Sequence, residues 1–174
     1  MVQRPGQPLY NVEVLFGGQY EKHNTNGGAV TSDRNTPQAY SHFSFVASNK
    51  QMCVCDIQGV MDMYTDPQVH TADGTGFGQG NLGTDGIHRF LASHQCNEIC
   101  AFLGLTQPKT EQEEVCVECP PNVRPGEIID WAVTSSDGQS HDWEVPVGAV
   151  PGERYRMVVN VVAAEDRALV GRAV

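Results

Sequence analysis

The sequence predicts an α+β fold, and three observations support this prediction. Apolar side chains recur at helical spacing in residues 33–49 and 87–105. The segments 10–16 and 51–60 instead have the alternating or continuous apolar pattern of strands. After residue 115 the helical periodicity gives way to a repeat rich in proline and glycine. We therefore expect helices and strands to mix in the first part of the chain and strands to dominate the last part.

Local signals place the ends of the first elements. The first helix is expected to begin with Thr36 as its N-cap and Pro37 in the first helical position. The strand over 51–60 places Asp56 near a C-terminal strand end, where catalytic groups are common. Residues 65–86 hold too many glycines for regular structure and are predicted to form one long loop, a feature that is often functional.

The C-terminal part contains an internal repeat. The tripeptide Pro-Gly-Glu at 125–127 recurs 26 positions later at 151–153. Between the two copies, the Asp-Gly pair at 137–138 is a hairpin-turn signal. The sequence therefore predicts a small all-β unit made of two similar halves.

Composition and charge narrow the possible functions. The formal net charge of −10 disfavours a nucleic-acid-binding protein, because neutralising phosphates requires a basic face. No apolar run approaches membrane-spanning length, and the N-terminus lacks the apolar core of a signal peptide. The six cysteines do not have the spacing of a disulfide framework. We expect a reducing, cytoplasmic location without a membrane partner, in which paired Cys and His residues bind metal.

Three polar residues near the predicted strand end have the chemistry of a phosphoryl-transfer site. Asp56 and Gln58 are expected to point to the same side of one strand, and Asp66 follows ten residues after Asp56. Phosphoryl transfer needs a carboxylate that orients or accepts the proton of the attacking hydroxyl, and oxygen ligands for Mg²⁺. The structural alternative, favoured by spacing alone, is that Asp56 caps a strand end and Asp66 begins a turn with Pro67.

A cluster of soft ligands ends the second predicted helix. His94, Cys96 and Cys100 have thiolate and imidazole groups that suit zinc, and they need a fourth ligand from elsewhere. One helix can present both sulfurs, because the two cysteines are four residues apart. The alternative is a buried helix with two small apolar cysteines. The candidates for the fourth ligand are the other cysteines and His23, His42, His70, His88 and His141.

Two further motifs are weak by themselves. The G-x-G-x-x-G pattern at 78–83 follows no strand-to-helix turn of a dinucleotide-binding fold, so a flexible loop is the simpler interpretation. The C-x-x-C pattern at 116–119 lacks a second pair and is interpreted as a coincidence.

Several sequence motifs occur together in a recognisable order. "GQYEKHNTNGG" is followed by "NTPQAYSHFSF", "DIQGV", "YTDPQVHT", "FGQGNLG" and "HQCNEIC". In order and spacing this set resembles the alpha-kinase family of atypical protein kinases. The first motif is similar to the family's K-x-N-x-N-x-G segment, and the second to the helix before the catalytic strand. The resemblance covers residues 12–105 and implies the C-terminal lobe of such a kinase.

The resemblance implies roles for individual residues. Asp56 matches the catalytic base, Gln58 and Asp66 match ligands of Mg²⁺ and the ATP phosphates, and the two aspartates share these roles. Glu13 matches the hinge position that contacts adenine. The glycine-rich segment 78–83 matches a loop on the substrate side of the site. The positions that match the family's four structural zinc ligands are His42, His94, Cys96 and Cys100.

Three more residues of the first motif, Lys22, Asn24 and Asn26, are expected near the site.

Two departures from the family pattern stand out. About 12 residues precede Glu13 and no lysine precedes Lys22, so the N-terminal lobe with its ATP-binding lysine is largely missing. Met61 stands where the family often has glycine, which places a bulky residue near both aspartates.

The function that follows is transfer of the ATP γ-phosphate to serine or threonine of a protein substrate. ATP, Mg²⁺ and structural Zn²⁺ are the expected cofactors, and the chain is expected to be a fragment of the kinase. The alternative is an inactive, zinc-stabilised pseudokinase or binding module. The C-terminal β module is an accessory unit that is a candidate for binding another protein. The expected division is a catalytic lobe, a linker, a β module and a tail, at 1–105, 106–114, 115–160 and 161–174.

Overall fold

The protein is represented by a computed structural model, which describes residues 12–136 and 138–171. It mixes helices and strands, as the α+β prediction requires. The helices are α1 (Asn35–Ala47), α2 (Gly83–Ser93), α3 (Glu98–Phe102) and α4 (Ala164–Arg167). The strands are β1 (Glu21–Lys22), β2 (Met52–Cys55), β3 (Gln58–Val60), β4 (Met63–Thr65), β5 (Gln68–Thr71), β6 (Thr110–Glu118), β7 (Ile128–Thr134), β8 (Ser140–Glu144) and β9 (Arg154–Val162).

The strands pair antiparallel in small sheets. Strand β3 lies between β1 and β4, and β2 pairs with β5. In the C-terminal part, β6 pairs with β9 along its whole length and β7 pairs with β8. No helix in the described part of the chain is long and apolar enough to cross a membrane.

The main hydrophobic core lies between α1, β2 and α2. The apolar stripe of α2 supplies Ile87, Phe90 and Leu91, each at most 2% exposed, which agrees with the predicted helical periodicity. Phe45 of α1 packs against them. Val162, the last residue of β9, is fully buried in the same core. The end of the C-terminal part therefore packs into the core of the first part.

The first helix begins two positions earlier than an N-cap at Thr36 predicts. Arg34 is the N-cap, and Pro37 therefore occupies the third helical position. This is still within the first turn, where backbone N–H groups have no intrahelical acceptor, so a proline costs no hydrogen bond there.

The single strand predicted over 51–60 is wrong, because the backbone breaks at Asp56. Strand β2 ends at Cys55, Asp56 has a φ of +56°, and β3 begins at Gln58 in a different sheet. Asp56 does follow a strand end as predicted. Asp56 and Gln58, however, do not share a face of one strand, since the two residues lie on opposite sides of the break.

The glycine-rich stretch 65–86 contains more regular structure than predicted. Strand β5 lies inside it and pairs with all of β2, and α2 begins at Gly83, so the irregular part is 72–82. The single helix predicted over 87–105 is divided into α2 and α3 by residues 94–97. Asn97 causes this division because its side chain caps α3, accepting hydrogen bonds from the N–H groups of Ile99 and Cys100.

The remaining differences concern the two ends of the chain and the linker. The strand expected over 10–16 is not formed by residues 12–16, and its first two residues lie outside the described residues. Strand β6 begins at Thr110, inside the segment expected to be a linker. The tail carries α4, and residues 172–174 lie outside the described part.

The two copies of the C-terminal repeat form the same turn. The N–H of Gly126 donates to the carbonyl of Val145 at 2.8 Å, and the N–H of Gly152 donates to that of Cys119 at 2.9 Å. Both glycines have φ near +80°, a conformation that favours glycine. In the hairpin signal between the copies, Asp137 lies outside the described residues, but the flanking β7 and β8 pair antiparallel.

Met61 lies in a two-residue turn between β3 and β4. Its φ is +55°, and Val60 pairs with Met63 across the turn. Met61 is 71% exposed, so its side chain extends away from the protein and not into the space between the two aspartates. The departure from glycine at this position therefore affects the backbone energy of the turn.

We expect Met61→Gly to raise the free energy of unfolding by about 0.5–1 kcal/mol. A left-handed backbone costs a residue with a Cβ about 1–2 kcal/mol, and the extra chain entropy of glycine offsets part of this gain. Urea unfolding at equilibrium measures the change. Met63→Gly, in β4, is the control and should lower stability. A lower urea midpoint for Met61→Gly would contradict the expectation.

Candidate active site and metal centre

Asp56 lies at the point where the chain leaves β2. Its carboxylate Oδ1 is 2.6 Å from Nζ of Lys22, and its side chain is 20% exposed. Lys22 belongs to β1 and is paired with Gln58 of β3, which brings the cation beside the aspartate. Lys22, which was expected near the site, therefore forms a direct ion pair with Asp56.

Gln58 and Asp66 meet because β3 and β4 are paired. Gln58 lies opposite Thr65, and its Nε2 donates to the backbone carbonyl of Asp66 at 3.1 Å. The Gln58 Nε2 atom is also 3.5 Å from Oδ2 of Asp66. Asp66, like Asp56, has a positive φ, at +48°. Aspartate tolerates this region better than most residues, and strained backbone of this kind concentrates at functional sites.

Glu13 and Tyr20 complete an acidic region around these residues. Thr65 Oγ1 donates a hydrogen bond to Glu13 Oε2. Burial, followed by the charges of Asp66, Asp56 and Glu13, raises the pKa of the Tyr20 phenol. The structure therefore brings the four predicted active-site residues into one region, together with a tyrosine that the sequence patterns did not identify. No sequence signal marks Tyr20, because its position depends on the long-range pairing of β1 with β3.

The chemistry of this region fits a magnesium-dependent reaction of a phosphate compound. Carboxylate and carboxamide oxygens are the ligands that Mg²⁺ prefers. The grouped carboxylates of Asp56 and Asp66 supply them, and Gln58 adds an amide. Lys22 offers one positive charge next to Asp56.

The other two residues of the first motif have different places. Asn24 is fully buried, and its Oδ1 accepts from the N–H of Ile57 at 2.9 Å, so it supports the backbone after Asp56. Asn26 reaches the glycine-rich segment, since its Nδ2 donates to the carbonyl of Gly80 at 3.0 Å. Asn81 holds the same segment from within, accepting at Oδ1 from the N–H groups of Thr71 and Gly83.

The four residues predicted to bind zinc converge. One ligand atom from each of them lies within 4.8 Å of the others. His42 comes from α1, His94 and Cys96 from the segment between α2 and α3, and Cys100 from α3. In the part of the chain that the structure describes, this is the one group of three or more His, Cys, Asp or Glu residues arranged to hold a metal ion. The prediction that one helix presents both sulfurs is wrong, because Cys96 precedes α3.

The spacing of the ligand atoms fits a tetrahedral zinc site. Nδ1 of His42 is 3.5 Å from Sγ of Cys96, and Nε2 of His94 is 3.6 Å from Sγ of Cys100. A tetrahedral ion bound at about 2.3 Å by sulfur and about 2.0 Å by nitrogen separates these atoms by about 3.5 Å. These two nitrogen–sulfur separations therefore fit zinc, and all four ligand atoms lie within 4.8 Å of one another.

Protonation at this site also fits metal binding. Burial, with a smaller effect from neighbouring His42, lowers the pKa of His94 to about 4. Burial likewise lowers the pKa of His42. Both rings are thus neutral and can offer a lone pair. Burial and the neighbouring Cys100 raise the pKa of the Cys96 thiol to about 11, so thiolate ligation at neutral pH requires a cation to offset these effects.

The other histidines considered as a fourth ligand have different contacts. Nδ1 of His23 is 2.9 Å from the Ser32 hydroxyl. His70 lies between the carbonyl of Asn26 and the N–H of Leu82. Among the described residues, His42 is the candidate histidine that lies with His94, Cys96 and Cys100, and it is the one that the family resemblance implies.

The sequence of this chain matches the model of a known protein family. The model of the alpha-kinase family matches residues 1–100, and the chain belongs to this family. Alpha-protein kinase 1 of Dictyostelium discoideum is 48% identical over 150 residues, which are 84% of this chain and 11% of that protein. Eukaryotic elongation factor 2 kinase of Mus musculus is 56% identical over 105 residues, which are 59% of this chain and 14% of that protein.

Solved structures give the same relationship. The apoenzyme alpha-kinase domain of myosin-II heavy chain kinase A is 58% identical, with a TM-score of 0.53, and the match covers 53% of this chain and 37% of that domain. The same domain has been solved in complex with ADP, with the same TM-score. The chain thus spans a small part of its curated relatives and little more than a third of a solved kinase domain.

The proximity of Tyr20 to the acidic region predicts a titration effect. Asp66→Asn should lower the pKa of Tyr20 towards its ordinary value, because the phenolate then loses a negative neighbour. NMR titration of ring-labelled tyrosines, with Tyr20 assigned through Tyr20→Phe, measures the shift. Asp73→Asn is the control and should leave Tyr20 unchanged. An identical Tyr20 titration in Asp66→Asn and the unmodified chain would exclude the arrangement.

Proposed function

We propose that this chain forms the catalytic lobe of a protein serine/threonine kinase, which transfers the γ-phosphate of ATP to a hydroxyl group of a protein. The single observation that carries the proposal is the grouping of three residues: Asp56 directly after β2, Gln58 at the start of β3, and Asp66 directly after β4. Family membership supports the reaction class. In two solved structures of inactive myosin heavy chain kinase A with ATP, the replaced aspartates lie ten positions apart, as Asp56 and Asp66 do.

The residues would divide the work as follows. Asp56 orients and deprotonates the attacking hydroxyl, and its ion pair with Lys22 holds the carboxylate in position. Asp66 and Gln58 would hold Mg²⁺, which neutralises charge on the phosphates when bound. Glu13, which accepts a hydrogen bond from Thr65, would contact the adenine. Protein substrates with basic segments would be attracted to the acidic region.

Binding of ATP needs further structure on the opposite side of the nucleotide, since the match covers only 37% of the solved kinase domain. The alternative function is an inactive zinc-stabilised pseudokinase or binding module. The observation that favours it is the group of four residues arranged to hold a metal ion, because such a centre stabilises a fold without any catalytic role.

A chimera separates these functions. Residues 12–105 replace the matching part of the alpha-kinase domain of myosin heavy chain kinase A, which supplies this further structure. We expect the chimera to phosphorylate the parent kinase's substrate and Asp56→Asn to lower kcat by about 10²–10⁴-fold, the usual contribution of a general base. Transfer of radiolabelled γ-phosphate measures both.

The control for the chimera is Asp73→Asn, which removes an exposed carboxylate of the glycine-rich stretch and should retain activity. A chimera that folds cooperatively but transfers no phosphate, while the parent domain is active, would favour the inactive module. Equal activity of the chimera and its Asp56→Asn variant would remove Asp56 from the reaction.

We further propose that His42, His94, Cys96 and Cys100 hold one structural zinc ion. The support is the separation of two nitrogen–sulfur pairs, 3.5 and 3.6 Å, and the burial of three of the four residues. Four protein ligands close the coordination sphere, which is typical of structural and not catalytic zinc. The ion would join α1 to the segment that follows α2.

We expect about one zinc ion per purified chain, and we expect chelation to unfold residues 40–104, because binding of structural zinc is coupled to folding. Metal analysis and hydrogen exchange measure the two effects. Cys100→Ser should lose the metal, whereas Cys116→Ser, at an exposed cysteine outside the cluster, should keep it. Metal-free protein that retains its fold would end the zinc proposal.

The division of the chain is also a proposal. We infer an accessory β module over 115–160, supported by the paired strands and by two apolar clusters centred on Trp143 and Val159. It offers a surface for another protein.

A cytoplasmic location is supported by six free cysteines, since disulfides are rare in that compartment.

A further inference from the structure

The side chain of Gln107 contacts the backbone of two proposed zinc ligands. The N–H of Cys96 donates to Oε1 of Gln107 at 2.6 Å, and Nε2 of Gln107 donates to the carbonyl of His94 at 2.8 Å. The oxygen and the nitrogen of this one carboxamide therefore bind the backbone just after and just before Gln95. Gln107 lies between α3 and β6, in the segment predicted to be a linker.

These bonds act where the backbone has the least support of its own. Residues 94–97 lie between α2 and α3, so helical hydrogen bonds do not fix the position of Cys96. The other ligands have such support, because His42 lies within α1, Cys100 lies within α3, and the N–H of His94 donates to the last turn of α2. Cys96 is therefore the ligand whose position depends most on a side chain from elsewhere.

Gln107 is itself anchored by the C-terminal part. Pro108 follows it and is buried. The N–H of Lys109 donates to Oδ2 of Asp166 at 2.7 Å, and the carbonyl of Lys109 accepts from the N–H of Ala163 at 2.8 Å. The segment is thus fixed on one side by the strands and α4, and its glutamine reaches the metal centre on the other.

We propose that Gln107 is a positioning residue of the metal centre, which holds the His94–Cys96 backbone in ligating geometry and slows release of zinc. The proposal rests on the proposed zinc site. A carboxamide is required because one contact needs an acceptor and the other a donor. Groups that orient metal ligands commonly change metal affinity by about 10–100-fold when removed, and because Gln107 is exposed we expect the effect to be near the lower limit.

The test uses the full zinc-loaded chain and Gln107→Met, which keeps the length of the side chain but removes both hydrogen bonds. We expect release of zinc to an excess of a chromophoric chelator to be about tenfold faster. The amide of Cys96 should exchange its hydrogen faster, while amides of α2 keep their rates. Gln95→Met is the matched control, since Gln95 is an exposed glutamine of the same loop and should behave as the unmodified chain.

Each outcome decides the matter. Faster release and local exchange at Cys96 in Gln107→Met, but not in Gln95→Met, support the proposal. Equal release rates in both variants and the unmodified chain would overturn it, as would faster exchange throughout α2, which would mean general destabilisation. An unmodified chain that binds no zinc would overturn the zinc site itself, and this result is distinguishable because it concerns stoichiometry.

Discussion

The left-handed backbone at Asp56 is the constraint on which the active region depends, both the pair of Asp56 with Lys22 and the pair of Gln58 with Asp66. It lets the chain leave one sheet after Cys55 and enter another at Gln58. The N–H of Ile57 would be left unpaired at this crossing, but the buried side chain of Asn24 accepts its hydrogen bond. A straight strand would instead carry Asp56 away from Lys22 and would not bring Gln58 opposite the residue before Asp66. The strain at one residue thus creates the meeting of carboxylates that the chemistry requires.

Helix α1 connects this crossing to the metal centre. Nδ2 of Asn24 donates to Gln38 and to Ser41 on α1, and the next residue, His42, faces the two cysteines of the metal group. One helix is therefore linked through Asn24 to the backbone after Asp56 and also carries a proposed zinc ligand. A structural ion at the far end would fix the helix against α3 and so support the active region without taking part in the reaction. This is a reason for a kinase lobe to keep both features.

Local patterns predicted the elements whose causes are local. The apolar stripe of α2 follows from its periodicity, whereas the end of β2 at Cys55 lies inside an apolar run that predicted a single strand. The periodic apolar pattern predicted one continuous helix and gave no sign of a cap at Asn97. In the structure, the Asn97 side chain caps two N–H groups and starts a new helix despite that pattern. Strand β5 was hidden by the glycines around it, since its formation depends on pairing with the distant β2. For the same reason spacing left the fourth zinc ligand open among several histidines, and only the resemblance to the family indicated His42.

The C-terminal part shows why a change in composition is not a boundary in packing. The 26-residue repeat accounts for two equivalent turns, and its strands have apolar clusters of their own. Strand β9 nevertheless continues to Val162, which is fully buried against Phe45 and Phe90 of the first part. Removing the last strand would expose this core, at a cost of about 2–3 kcal/mol for one large apolar side chain. The C-terminal strands and the first part of the chain therefore share stability through Val162, and the segment that carries Gln107 is a second connection between them.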